Sequence, residues 1–145
     1  MSIDRAILMA RNKRIDRKWD TTHWLIDWHG TICEGSYDPH VLSMQFYPKA
    51  VEALQALTAR SDFRFILWTS SYSNAIHPFM RRLQEDHGIH VDFVNQNPEV
   101  QNTDTGKFNL KPYCDIIIDD KAGFDPLTEW SIVLDWCNNI DRWYG

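Results

Sequence analysis

Three acidic residues stand where short apolar runs stop. Asp27 follows Trp24-Leu25-Ile26, and the tandem pair Asp119-Asp120 follows Ile116-Ile117-Ile118. Carboxylates brought to one edge repel each other, and a cation relieves that repulsion. Hard oxygen ligands in small number, with room left for water and phosphate oxygens, suit Mg²⁺. A divalent ion so held can bring a phosphate to a carboxylate nucleophile. A further apolar run, Phe63 to Trp68, stops at Thr69-Ser70, whose hydroxyls can donate to phosphate oxygens. Lys107 and Lys111 both precede the run that ends in Asp119-Asp120, and either can neutralise developing charge.

Those residues need a scaffold that brings distant strand ends together. His23–Trp28, Phe63–Trp68, His90–Val94 and Asp115–Ile118 read as strands, without the polar alternation of a half-exposed sheet. A helix is expected from Pro48, with Val51, Leu54 and Leu57 on one face. A second starts at Ser73 or Asn74, buries Ile76, Phe79, Met80 and Leu83, and stops at Gly88. A last one opens at Asp125-Pro126 and carries Trp130, Val133, Leu134 and Cys137. This alternation predicts an α/β fold, a three-layer Rossmann-like sandwich with a mostly parallel central sheet. Ligands of such sheets bind beyond the carboxyl ends of the strands, where Asp27, Thr69-Ser70 and Asp119-Asp120 fall.

The bulk properties narrow the class. A chain of 145 residues with 43% hydrophobic and 13% aromatic content can bury a core, which excludes a disordered or fibrous protein. The net charge of −5 argues against general nucleic-acid binding. Residues 1–20 are the exception: six basic residues against three acidic ones give +3, leaving −8 for the remainder. They read as a solvated, partly frayed basic arm ahead of a single domain over 21–145. Cys33, Cys114 and Cys137 have neither zinc-ligand spacing nor an even number, so reduced thiols in a cytoplasmic protein are expected. Ala6–Ala10 is too short for a signal sequence or a membrane span. His23, His40, His77, His87 and His90 show no ligand spacing, Lys121 reads as a solvated loop charge, and Trp28 and Trp68 as core or rim residues.

In order, these segments resemble the four motifs of the haloacid-dehalogenase superfamily. Asp27-Trp28-His29-Gly30-Thr31 is similar to its first motif, Asp-x-Asp-Gly-Thr after a strand; Phe65–Ser70 is similar to the second; and Lys111 through Asp119-Asp120 looks like its lysine followed by the acidic fourth motif. The resemblance spans about residues 22–125. It implies Mg²⁺-dependent transfer of a phosphoryl group from a phosphomonoester through an aspartyl-phosphate on Asp27. Asp27, the backbone carbonyl of His29, and Asp119 or Asp120 would hold the metal. Thr69 and Lys111 would hold the phosphoryl group, with Gly30, Thr31, Ser70 and Lys107 as further substrate contacts. Too little chain lies between the motifs for a cap domain, so a minimal cap or none is expected. An open site of that kind suits a large substrate, a phosphorylated macromolecule, or capping by a partner subunit, and the expected partner is a phosphorylated small molecule or macromolecule end.

One position departs from the pattern. Where the family's phosphatases carry a second aspartate as general acid and base, this chain has His29. Three readings follow. His29 acts as the acid/base; or the reaction stalls at the phospho-aspartate; or the domain is a catalytically impaired one that binds metal or phosphate in a regulatory or interaction role. His29 with Asp27 and Asp119 would also suit a transition metal. A further alternative uses the basic arm in processing nucleic-acid ends, which predicts salt-sensitive binding lost with residues 1–20.

Overall fold

In the computed structural model, which describes residues 2–35, 38 and 42–139, the sheet is built on β1 (Thr22–Asp27), buried along all but its last residue. β1 lies centrally, paired in parallel with β2 (Phe63–Trp68) on one side and β4 (Ile116–Ile118) on the other. β3 (Phe93–Val94) extends the sheet beyond β2, so the order is β3-β2-β1-β4 and every pairing is parallel. Parallel strands need crossover connections and burial on both faces, which accounts for the unbroken apolar runs. The fold is thus the expected α/β, Rossmann-like arrangement of a parallel sheet flanked by helices. Register decides what meets at the carboxyl edge: Asp27 is the Cα partner of Trp68, and Ile26 that of Ile118, one residue before Asp119.

Among the described residues four α-helices accompany the sheet: α1 (Ser2–Arg17), α2 (Ala50–Thr58), α3 (Ser73–His87) and α4 (Trp130–Asn138). α4 packs on α2 and α1. Trp24, Trp28, Trp130, Phe65 and Phe79 are the large rings of the core, fully buried. α3 ends where expected, with Gly88 at φ +66° and its N–H on the Gln84 carbonyl. Among the described residues no helix or strand lies between β1 and α2, or between β3 and β4. His40 lies outside the described residues.

The chain start corrects the reading of residues 1–20 as a frayed arm. Ser2–Arg17 is helical, and Ile3, Ile7 and Ala10 are buried in the core at i, i+4 and i+7. Trp136 on α4 donates its indole N–H to Asp4 at 2.6 Å, tying the two helices together. The arm reading rested on charge. Three apolar residues at helical spacing outweigh it, because burial of Ile3 and Ile7 contributes about 1.5–3 kcal/mol each. α4 also begins later than expected. The Asp125 carboxylate accepts from Leu127 N–H and the Thr128 hydroxyl, and Glu129 accepts from Asp125 N–H. That turn delays the helix to Trp130. No helix among the described residues is long and apolar enough to cross a membrane.

Candidate functional site

Asp27, Asp119 and Asp120 converge at the carboxyl edge of the sheet, with one carboxylate oxygen from each lying within 4.8 Å of the others. β1 delivers Asp27. β4 delivers the pair, and the chain then tightens into a 3-10 turn (Asp120–Ala122) capped by Asp119, whose carboxylate accepts Lys121 N–H at 2.9 Å. Thr31, wholly buried, organises the cluster. Its hydroxyl accepts from Asp120 N–H at 3.0 Å and shares its own proton between Asp27 Oδ2 (3.2 Å) and Asp120 Oδ1 (3.4 Å). Its carbonyl accepts the indole N–H of Trp130 at 2.8 Å, so the loop after β1 is pinned to α4 from within the core.

Gly30 makes the close approach possible. It sits at φ +81°, and a Cβ there would stand 2.9 Å from Asp120 Oδ2. We expect Gly30→Ala to push Asp120 out of the cluster at a stability cost of about 1–2 kcal/mol. Thermal denaturation with and without divalent cation checks this: the variant should melt lower and lose most of any cation-induced stabilisation. A variant stabilised by cation as strongly as the parent would show that Asp120 is not a ligand.

A cleft of about 560 Å³ opens in front of Asp27 and Asp119, with His29 and Lys121 on its walls. Trp68, Thr69, Ser70 and Asn95 also line it. The Thr69 hydroxyl accepts from Ser71 N–H at 3.1 Å, a role that leaves its own proton for a second partner. Asn95, held at φ +56°, reads the backbone of Thr69 in both directions: its Oδ1 accepts Thr69 N–H and its Nδ2 donates to the Thr69 carbonyl, each at 2.8 Å. The turn after β2 is therefore clamped to the end of β3.

Burial and then the neighbouring Asp119 push the Asp27 carboxyl up to about 6, against the Thr31 hydroxyl and the Trp28 N–H, which hold it down; Asp120 adds to the rise. Burial pushes His29 below the usual imidazole value. Its ring stacks on Trp28 (centroids 4.1 Å, planes 20° apart), which stacks in turn on Phe79 at 4.1 Å. Burial thus favours the neutral form of His29, and its ring lies flat against Trp28.

Comparison with protein families, curated proteins and solved structures returns no match for this chain. Its site is read from its own geometry.

That geometry sorts the expected residues. Asp27, His29, Thr69, Ser70 and Asp119 line one cleft, and Asp120 stands beside them in the carboxylate cluster. Gly30 and Thr31 serve from behind, shaping and bonding the carboxylates. Lys107 and Lys111 line a different cavity, with Cys114 and the exposed Ile117. Lys121, read from sequence as a loop charge, is the lysine that lines the cleft. Lys111 precedes β4 and so stands at its amino end, whereas the 3-10 turn folds Lys121 back at the carboxyl end. Asn95 was not anticipated. The only sequence signal for it is an amide residue directly after a strand.

Proposed function

We propose that this domain is a Mg²⁺-dependent phosphotransferase or phosphohydrolase that takes the phosphoryl group of a phosphomonoester onto Asp27. The observation that carries the reading is the convergence of three carboxylates at a cleft that Asp27 and Asp119 line together with Thr69, Ser70 and Lys121. A hard dication fits the donor set. All three donors are carboxylate oxygens, and their 4.8 Å span is only slightly wider than the ~4.2 Å between opposite ligands of an ion with ~2.1 Å bonds. Asp27, Asp119 and Asp120 would hold Mg²⁺, which would neutralise charge on the phosphoryl oxygens.

The chain's own residues carry the remainder of the mechanism. One Asp27 oxygen attacks phosphorus, the P–O bond to the leaving alcohol breaks, and that oxygen departs with the bonding pair. The Thr69 hydroxyl and Lys121 ammonium face the charge that develops on the phosphoryl group. Neutral His29 then accepts a proton from water as its oxygen attacks phosphorus, releasing phosphate and restoring the Asp27 carboxylate. We assign the cationic role to Lys121 in place of Lys111, because Lys121 lines the cleft. A second reading keeps binding and drops turnover: His29, a neutral base stacked on Trp28, offers no proton to a leaving group.

Hydrolysis of p-nitrophenyl phosphate, followed with and without Mg²⁺, tests the proposal. Its activated leaving group departs without a proton donor, so turnover should appear with Mg²⁺ and vanish with EDTA. The same assay carries a pH signature. An Asp27 carboxyl at about 6 must lose its proton before it ligates a cation. Mg²⁺ affinity should therefore be about tenfold weaker at pH 5 than at pH 7, since the ionised fraction falls about tenfold below a pKa near 6. Phosphate release indifferent to EDTA would sink the proposal.

A further inference from the structure

A second cavity, of about 770 Å³, lies at the other end of the sheet from the Asp27 cleft. It opens between the α1–β1 connection and the segment from Glu99 to Tyr113, and His23, the second residue of β1, contributes to its wall. Four residue steps along β1 separate His23 from Asp27, about 13 Å of strand. The cavity is larger than the Asp27 cleft and within the usual size range of small-molecule sites.

Its lining is aromatic and preorganised. Trp19 and Phe108 stand nearly perpendicular to Tyr113, at 84° and 89°, with centroids 5.8 and 5.7 Å away. All three rings remain partly exposed. Perpendicular rings make a corner in which a flat guest can stack on one wall and turn its edge to the other, the geometry aromatic pairs prefer. Beneath them is a fixed polar floor. His23 is 5% exposed, with Nε2 2.9 Å from Glu99 Oε1. Asp115 accepts His23 N–H at 2.8 Å and the Tyr113 hydroxyl at 2.7 Å. Arg64 also pairs with Glu99, at 3.2 Å, so that carboxylate is already neutralised. Arg17, whose guanidinium lies 4.8 Å over the Trp19 ring, and Lys18 also line the cavity, and of its two acids, Asp20 and Glu99, only Glu99 is paired with Arg64. The balance of charge open to a guest is positive.

We infer that this cavity binds a planar aromatic anion, a ring carrying a carboxylate or phosphate, with the ring in the Trp19–Tyr113–Phe108 corner and the charge toward Arg17 and Lys18. Neither this site nor its ligand depends on the chemistry proposed for Asp27.

The test titrates the ¹⁵N-labelled 145-residue chain, in EDTA and with Asp27→Asn to silence the other cleft, with AMP and with indole-3-acetate. Adenosine serves as the uncharged comparison. Saturable shifts are expected for at least one of the two anions in the amides of residues 19–23, 99–103 and 113. Phe108→Ala and Trp19→Ala should each weaken binding about tenfold, the usual worth of one ring stacked on an aromatic guest. Arg17→Gln, a surface change that leaves the rings in place, should weaken the anion severalfold and leave adenosine unchanged. If Trp19→Ala fails to fold, Phe108→Ala and Arg17→Gln decide. Absence of saturable binding by both anions overturns the inference. So do shifts centred on residues 27–29 and 68–70, undiminished affinity in Phe108→Ala, or equal affinity for AMP and adenosine.

Discussion

Asp27→Asn is expected to lower Mg²⁺-dependent hydrolysis of p-nitrophenyl phosphate by about 10³-fold or more while raising the stability of the metal-free protein. The first effect follows from the proposed chemistry: an amide neither attacks phosphorus nor ligates a hard cation well. The second follows from the cluster's electrostatics. Asp27 is half-buried beside Asp119, and its carboxyl is pushed up to about 6. A folded-state pKa above the unfolded value means that ionisation costs folding free energy. The penalty is absent below about pH 4 and complete above about pH 6. Asparagine escapes it, so the variant should gain about 1–2 kcal/mol at pH 7.5 in EDTA, allowing for solvent screening, and little at pH 4. Urea melts at the two pH values measure this. The paired outcome separates loss of chemistry from loss of fold, because a misfolded variant would lose activity and stability together. Retained turnover with the stability gain would move the nucleophile elsewhere.

The second large effect is at His29. Burial holds its imidazole below the ordinary value, and stacking on Trp28 fixes its plane, so the proposed role is that of a base and not of a proton donor. Two results follow. His29→Ala should lower steady-state turnover by about 10²-fold or more, the usual worth of a general base, while an initial burst of p-nitrophenol marks an intact first step. The native protein should also discriminate steeply by leaving group, cleaving aryl phosphates far faster than alkyl ones, since alkoxides depart poorly without a proton. His29→Asp supplies a carboxyl that can both donate and accept. It should flatten that dependence and favour alkyl phosphates relative to the parent. If His29→Asp instead raises turnover of every substrate by orders of magnitude, the native domain is the binding module of the second reading. If the parent already cleaves alkyl and aryl esters alike, His29 is a proton donor after all.

Much of the fold was legible in the chain because it rests on local patterns. Apolar runs without alternation become parallel strands buried on both faces, and helical spacing of Ile76, Phe79 and Leu83 becomes the buried side of α3. The first twenty residues misled because charge is conspicuous and three apolar residues spaced over two turns are not. The carboxylates were legible for the same local reason as the strands. Asp27 ends β1 and the Asp119-Asp120 pair follows β4, and parallel pairing with β1 brings those strand ends to one edge.

What only the tertiary structure decided are the partners that reach across. Whether Lys107, Lys111 or Lys121 serves the cleft depends on which end of β4 each one flanks. A count of lysines near Asp119 carries no such information. Thr31 was expected from sequence as a substrate contact; the structure shows its buried hydroxyl bonding both Asp27 and Asp120, the latter 89 residues away in sequence. Asn95 clamps Thr69 from 26 residues away. The sequence by itself determined which groups could do chemistry and the layer that carries them, since composition and periodicity act within a few residues. The structure decided which groups meet, because hydrogen bonds and charges work over a few ångströms of space, whatever their separation along the chain.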